Sequence, residues 1–140
     1  MDGQAWWITG ASSGIGAALA RALAREGARL VLSGRNVAAL EAVAADCGDS
    51  LILPFEATDF AALPALTARA WDWAGRVDGI VNNAGISQRS LAIDTDFGVY
   101  ERIIAVDLLA PIAFAQANLP HRLSAGGGHI IAISSVAGLA

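Results

Sequence analysis

The fold is decided by an eight-residue stretch near the N-terminus, Thr9-Gly10-Ala11-Ser12-Ser13-Gly14-Ile15-Gly16. This stretch follows a short apolar run, residues 5–9, and opens residues 14–26, whose apolar side chains recur at helical spacing. A strand, a glycine-rich loop and a helix in this order are typical of loops that bind the phosphates of a dinucleotide. A helix that begins in this way presents unpaired N–H groups and the positive end of its dipole to an anion.

We assign a cofactor-binding role to the loop residues Gly10, Ser12, Ser13, Gly14, Ile15 and Gly16. Gly10 permits the tight turn out of the strand, Gly14 allows close approach to the phosphates, and Gly16 allows close packing of the helix on the sheet. The Gly-x-x-x-Gly-x-Gly spacing lacks the Gly-Lys-Ser/Thr of a P-loop, which disfavours ATP or GTP. The alternative interpretation is a glycine-rich turn that binds no ligand.

The rest of the chain alternates apolar runs with helical segments, which is typical of a parallel sheet covered by helices. After residues 5–9, the further predicted strands are residues 29–33, 50–54, 79–83 and 129–134. The pattern predicts an α/β fold, a doubly wound parallel sheet of Rossmann type with strand order 3-2-1-4-5. We expect one NAD(P)-binding domain over residues 1–140, truncated after the fifth strand and therefore C-terminally incomplete.

Four helices are predicted between these strands. The first ends at Gly27, and Asn36 and Asp59 are placed to cap the second and the third. The fourth covers residues 96–123, with a bend at Pro111. Its apolar part contains Asp107, and a charge at that depth disfavours a membrane span, so we predict a buried helix.

Composition narrows the classes of function. The formal net charge is −4 and the nine basic residues form no run, which disfavours binding to nucleic acid or to an anionic membrane. The single cysteine, Cys47, excludes an internal disulfide, and neither histidine stands near it in the sequence, so no metal site is predicted. We expect a reduced, cytoplasmic setting.

Three motifs together resemble one family. The loop Thr9 to Gly16, the tetrad Asn82-Asn83-Ala84-Gly85 and the stretch Ile133-Ser134-Ser135-Val136-Ala137-Gly138 are similar, in order and separation, to motifs of the short-chain dehydrogenase/reductase family. The resemblance implies an oxidoreductase that transfers hydride between a nicotinamide and a small-molecule carbonyl or alcohol substrate. It also implies a homodimer or homotetramer formed through the helix around residues 103–117.

The end of the second predicted strand bears on the choice of cofactor. NAD-binding proteins of this fold usually place an acidic residue there, where it binds the ribose 2′-hydroxyl. Here Gly34 stands at that position and Arg35 follows, and a guanidinium suits the 2′-phosphate of NADP. We therefore favour NADP over NAD. The alternative is that Arg35 is a solvated loop residue.

Further cofactor contacts are implied by the resemblance. Glu56 and Ala57 stand where the family commonly has Asp-Val beside the adenine. Asn83, Ala84 and Gly85 would line the cofactor, whereas we assign Asn82 a structural role, with its amide bonding neighbouring backbone. Glu56 could instead be a surface residue, and the tetrad could be an ordinary turn, since Asn and Gly favour turns.

The resemblance also implies the catalytic residues. Ser135 matches the serine that orients the substrate oxygen, and Asp107 stands where the family has an asparagine that holds a water of the proton relay. Aspartate has a similar shape but loses two N–H donors and adds a charge. The family's Tyr-x-x-x-Lys motif has no match, because Tyr100 is followed by Ile104 and the chain contains no lysine.

Three functional hypotheses therefore stay open at this point. The first is an NADP-dependent short-chain oxidoreductase. The second is a non-catalytic NADP-binding or interaction module that lacks the tyrosine and lysine pair. The third is a structural subunit with an empty glycine loop that joins its partners through the apolar helix.

Overall fold

The computed structural model of the chain describes residues 2–85 and 92–133. Within these residues, parallel pairing joins five strands into one sheet, with the order 3-2-1-4-5. The strands are β1 (Ala5–Ile8), β2 (Arg29–Leu32), β3 (Ser50–Ile52), β4 (Gly79–Asn82) and β5 (His129–Ala132). The predicted fold class and strand order are confirmed. Each strand starts where predicted and ends one or two residues earlier, because its last residues turn into the loops.

In the described part of the chain, five α-helices accompany the sheet: α1 (Gly14–Arg25), α2 (Val37–Ala45), α3 (Leu63–Ala74), α4 (Phe97–Ile104) and α5 (Ala110–Ser124). Asn36 caps α2 as predicted, since its Oδ1 accepts a hydrogen bond of 3.0 Å from the Ala39 N–H. The prediction for Asp59 is wrong. Its side chain makes no capping bond in the described part of the chain. A 3₁₀ turn intervenes before α3, which starts at Leu63 with Pro64 in its first turn.

The long predicted helix is interrupted by one π-helical turn, Ala105–Leu109, between α4 and α5. In this turn the Ala110 N–H bonds the carbonyl of Ala105, five residues earlier. Pro111 follows at the start of α5 and has no N–H of its own, and a proline ring crowds the carbonyl four residues before it. The irregularity predicted at Pro111 therefore lies on its N-terminal side, as a widened turn that carries Asp107.

Side chains of alternating direction along β1 divide the core into two layers. Trp6 and Ile8 pack with α1 and α2 on one face of the sheet. Trp7 packs on the other face with α3 and α5, where its ring meets Phe114 edge-on at 4.6 Å between centroids. The sheet is thus covered on both faces at β1, which places the rigid centre of the fold directly beneath the glycine loop.

The helical stretch Phe97–Ser124 is the one helix among the described residues that is long and apolar enough to cross a membrane by length and composition. Core helices of soluble proteins pass the same test. Its buried residues recur every fourth position from the π turn onward: Val106, Ala110, Phe114, Asn118 and Arg122. The prediction of a buried helix is correct only for this strip, because 22% of the apolar window is buried and several large apolar side chains face outward.

We expect Trp7→Phe to destabilise the fold strongly. The Trp7 side chain is fully buried, and its Nε1 donates a hydrogen bond of 2.8 Å to the Ser33 hydroxyl. Phenylalanine leaves a cavity and removes that bond, so the free energy of unfolding should fall by about 2–4 kcal/mol in urea denaturation. The matched control is Trp73→Phe, since Trp73 is only half-buried beneath the Arg29 guanidinium. Equal losses for the two variants would contradict this assignment.

Candidate functional site

The candidate site is a cleft of about 320 Å³ at the carboxyl ends of the strands. In open α/β sheets the crevice beside the first strand, where the strand order reverses, is the usual ligand site. The cleft is lined by Gly10, Ser12, Ser13, Gly34, Arg35, Phe55, Glu56, Ala57, Asn83, Ala84, Gly85, Arg102 and Val106. The structure thus brings together all the predicted cofactor residues except Gly14, Ile15 and Gly16.

The glycine loop has a backbone shape that side chains resist. Gly10 has φ +62° and Gly14 has φ +57°, and both values lie in the left-handed region that favours glycine. A Cβ on Gly14 would meet no described atom within 4 Å, so the space in front of the loop is open. Ile15 is 63% exposed and points away from the core.

Gly16 lies where the start of α1 meets the loop after β1 and the turn after β4. A Cβ there would overlap the carbonyl oxygen of Gly10 and press on the Asn83 amide nitrogen. The absence of a side chain therefore allows the start of α1 to lie close to both the loop after β1 and the turn after β4. This contact joins two segments about seventy positions apart in the sequence.

Thr9 ties the end of β1 to the end of β4. Its hydroxyl donates to the Val81 carbonyl at 3.2 Å and accepts from the N–H groups of Asn83 at 3.1 Å and Ala84 at 3.3 Å. Thr9 is 7% exposed, so its hydroxyl has little access to water as an alternative partner. The sequence marked Thr9 only as the start of the loop, whereas the structure makes it the residue that positions both sides of the cleft.

The structural amide of the fourth-strand motif belongs to Asn83. Its Nδ2 donates to the Gly10 carbonyl at 3.1 Å, and Asn83 also lines the cleft. We expected a backbone-bonding amide at Asn82, and the amide that bonds the glycine loop is that of Asn83.

The turn after β2 is packed tightly at Gly34 and open at Arg35. A Cβ on Gly34 would stand 3.3 Å from the Ser12 hydroxyl and 3.5 Å from Leu40, so a larger side chain there would press on the glycine loop. The Arg35 side chain is 67% exposed and reaches over the cleft. This corner therefore offers a guanidinium where NAD-binding proteins place a carboxylate.

Two arginines share one carboxylate at the mouth of the cleft. Oε1 of Glu56 lies 3.5 Å from Nη1 of Arg35 and 3.8 Å from Nη2 of Arg102. Sequence reasoning missed Arg102, which lies on α4 far from the motifs. Arg102 stands one helical turn before Val106, another cleft residue, and this spacing is the only feature of the sequence that points to Arg102. The spacing is informative only once Val106 is known to face the cleft.

Beneath the cleft lies a smaller apolar cavity of about 30 Å³. Phe55, Ala57, Ala84 and Val106 line both spaces, and Phe114 closes the inner end. The cavity is large enough for a water molecule but far smaller than an adenine ring. The apolar side chains therefore form a floor under the cleft rather than a separate ligand site.

The two predicted catalytic residues differ in what the structure describes. Asp107 is exposed on the π turn, and a Cβ on Gly85 would stand 3.3 Å from its Oδ1, so it borders the same edge of the cleft. π turns are frequent at functional sites because they re-aim a side chain within a helix. Ser135 lies outside the described residues.

The described residues offer neither a metal site nor a reactive thiol at the cleft. Within residues 2–85 and 92–133 no cluster of His, Cys, Asp and Glu could hold a metal ion. Cys47 packs against the α1 and α2 side of the core, and burial raises the pKa of its thiol above the ordinary value. A raised pKa keeps the sulfur protonated at neutral pH, which disfavours a nucleophilic role.

Comparisons with known proteins agree with this geometry. A family model described as short chain dehydrogenase matches residues 4–140. Human dehydrogenase/reductase SDR family member 7 is 40% identical over 141 residues, which cover 95% of this chain and 42% of the human protein. The ketoacyl reductase HetN of Nostoc sp. is 34% identical, with 99% of this chain and 50% of that protein covered. The chain thus spans half or less of these relatives.

Solved structures give the same result. A metagenomic short-chain oxidoreductase in complex with NADP superimposes with a TM-score of 0.90 at 38% identity, covering 99% of this chain and 65% of its own. A short-chain type dehydrogenase/reductase from Mycobacterium marinum superimposes with a TM-score of 0.94 at 29% identity, covering 99% of this chain and 58% of its own. The described strands and helices are therefore arranged as in these enzymes.

We expect Thr9→Val to loosen the join between β1 and β4. Valine has the same shape but leaves the N–H groups of Asn83 and Ala84 without their acceptor, so the free energy of unfolding should fall by about 1–3 kcal/mol. Thr9→Ser keeps the hydroxyl and loses one methyl group, which should cost about 0.8 kcal/mol. Urea denaturation measures both. A serine variant as unstable as the valine variant would contradict the role of the hydroxyl.

Proposed function

Because the chain belongs to the short-chain dehydrogenase family, we propose that it is the cofactor-binding part of an NADP-dependent oxidoreductase. The reaction would be hydride transfer between the nicotinamide and a carbonyl or alcohol carbon. One observation carries the proposal: the glycine loop, Gly34–Arg35 and the Asn83–Gly85 turn converge on one open cleft.

The cleft fits the pyrophosphate of a dinucleotide at the glycine loop. The positive φ of Gly10 and Gly14 turns the loop around the start of α1, and the space beside Gly14 is open. Residues at a helix start have N–H groups without intrahelical partners, and Ser12 and Ser13 add two hydroxyl groups. This set of donors, at the positive end of the helix dipole, suits a diphosphate.

The phosphorylated cofactor is favoured over NAD by charge and by space. Gly34 provides no carboxylate for a ribose 2′-hydroxyl, and its surroundings leave little room for one. The exposed Arg35 guanidinium beside it can form charge-assisted bonds to a 2′-phosphate. The structural relative at 38% identity was solved in complex with NADP, which supports the same choice.

The chain's own residues would bind, orient and handle protons around the cofactor. A bound nicotinamide would supply or accept the hydride. Asp107, on the π turn beside Gly85, would hold a water of the proton relay through its carboxylate oxygens. Ser135, outside the described residues, would orient the substrate oxygen by a hydrogen bond.

A second candidate function is binding of NADP without turnover. The specific observation is that the 140 residues contain no lysine and that Ile104 stands four residues after Tyr100, so these residues include no Tyr-x-x-x-Lys. A proton donor matched to neutral pH is needed at the reacting oxygen. Turnover of a carbonyl panel with NADPH separates the two candidates, since measurable reduction by this chain would eliminate the second.

We expect Arg35→Ala to weaken NADPH binding about tenfold or more while NADH binding changes little, because the lost charge-assisted bond serves only the 2′-phosphate. Titration of cofactor fluorescence measures both affinities. Arg69→Ala is the matched control, since Arg69 lies exposed on α3 and is not among the cleft residues. Equal weakening of both cofactors would refute the role of Arg35, and failure of the wild-type chain to bind either would refute the cofactor site.

We also propose that the exposed apolar side chains of α5 and the π turn form a contact with a second copy of the chain. Leu108, Leu109 and Ile112 are 55%, 46% and 52% exposed and lie on consecutive turns. Contiguous apolar surface of this kind marks interaction sites.

The contact predicts that Ile112→Glu shifts the chain from dimer or tetramer to monomer in sedimentation experiments, because an unpaired charge would be buried between the copies. Val37→Glu is the control, since Val37 is also exposed but lies on α2, against the other face of the sheet. A wild-type chain that is monomeric at all concentrations would overturn this part of the proposal.

A further inference from the structure

The charged group at the mouth of the cleft is assembled from three separate elements. Arg35 follows β2, Glu56 follows β3 and Arg102 lies on α4, and all three line the cleft. Both guanidinium groups approach the same carboxylate oxygen, at 3.5 Å from Arg35 and 3.8 Å from Arg102. The three side chains therefore act as one electrostatic unit with a net charge of one positive unit.

Glu56 presents a difficulty for a 2′-phosphate. The carboxylate competes with the phosphate for the Arg35 guanidinium, and its negative charge repels a phosphate that carries about two negative charges. Arg35 and Glu56 alone would sum to zero charge. With Arg102 present, the carboxylate oxygen has a second cationic partner, and the three side chains leave one positive charge uncompensated for the ligand.

We propose that Arg102 is a specificity-determining positioning residue, which neutralises Glu56 so that Arg35 can bind the 2′-phosphate of the cofactor. This inference rests on the proposed function. It extends recognition of the phosphorylated cofactor from the turn after β2 to α4, the helix that leads into the π turn with Asp107.

The exposure of the three side chains sets the size of the effect. Arg35, Glu56 and Arg102 are 67%, 44% and 51% exposed, so water and salt screen the pairs and each pair is weak. Weak pairs allow Glu56 to leave Arg35 when a phosphate arrives, because the carboxylate remains paired with Arg102. We therefore expect effects of about two- to fivefold in affinity for each change of charge.

The test compares 2′,5′-ADP with 5′-AMP, which differ only by the 2′-phosphate, in calorimetric titrations of this chain. Arg102→Gln should lower the affinity for 2′,5′-ADP about two- to fivefold and leave the affinity for 5′-AMP unchanged within error. Arg102→Lys keeps the charge and should retain the wild-type affinity. Arg69→Gln removes the same charge from α3 and should change the affinity for neither ligand. The loss of affinity caused by Arg102→Gln should be smaller at high salt.

A second variant shows whether Arg102 acts through Glu56. Glu56→Gln should raise the affinity for 2′,5′-ADP relative to that for 5′-AMP. When Arg102→Gln is added to Glu56→Gln, the affinity for 2′,5′-ADP should change little further. If Arg102→Gln lowers the affinity as much in the Glu56→Gln variant as in the wild-type chain, Arg102 contacts the phosphate directly, which overturns the inference. An unchanged affinity of the single Arg102→Gln variant also overturns it.

The same titrations distinguish the inference from the proposed function. If Arg35→Ala weakens 2′,5′-ADP and Arg102→Gln does not, the inference fails and the NADP site stands. If the wild-type chain shows no preference for 2′,5′-ADP over 5′-AMP, both fail together.

Discussion

The glycine loop and the turn after β4 meet where Gly10 and Gly16 leave no room for a side chain of their own, and the cleft depends on this contact. The Gly10 carbonyl lies against Gly16 and accepts a hydrogen bond from the Asn83 amide. Thr9 adds three hydrogen bonds from one hydroxyl, each to backbone of the β4 end. The Gly10 carbonyl and the N–H groups of Asn83 and Ala84 therefore all have hydrogen-bond partners within the protein.

The sheet supplies the rigidity that this contact needs. β1 pairs with β2 on one side and β4 on the other, so the ends of three strands reach the cleft side by side. Trp6 and Trp7 fill opposite layers beneath them, with Trp7 bonded to the Ser33 hydroxyl at the end of β2. A fully packed centre holds the loop ends in one position, which fixes the turn with Arg35 relative to the glycine loop.

Much of the fold was predictable from local pattern. The five apolar runs and the helical segments between them predicted the sheet and its order, because parallel strands are buried on both faces and crossovers are right-handed. Asn36 was predictable as a cap because a capping bond reaches only three residues along the chain. The cap predicted at Asp59 is not formed, since a 3₁₀ turn intervenes before α3, and the sequence indicated the π turn only as a bend at Pro111.

The sequence by itself determined which residue types stand at the strand ends: the glycines of the loop, Gly34–Arg35 and the Asn83–Gly85 turn. These depend on backbone conformation and strand order, which local sequence encodes. Only the tertiary structure decided that Gly16 serves the loop–turn contact, that Asn83 rather than Asn82 bonds the loop, and that Arg102 shares Glu56 with Arg35. Each of these is a contact between segments dozens of residues apart, and such contacts exist only once the sheet has brought the segments together.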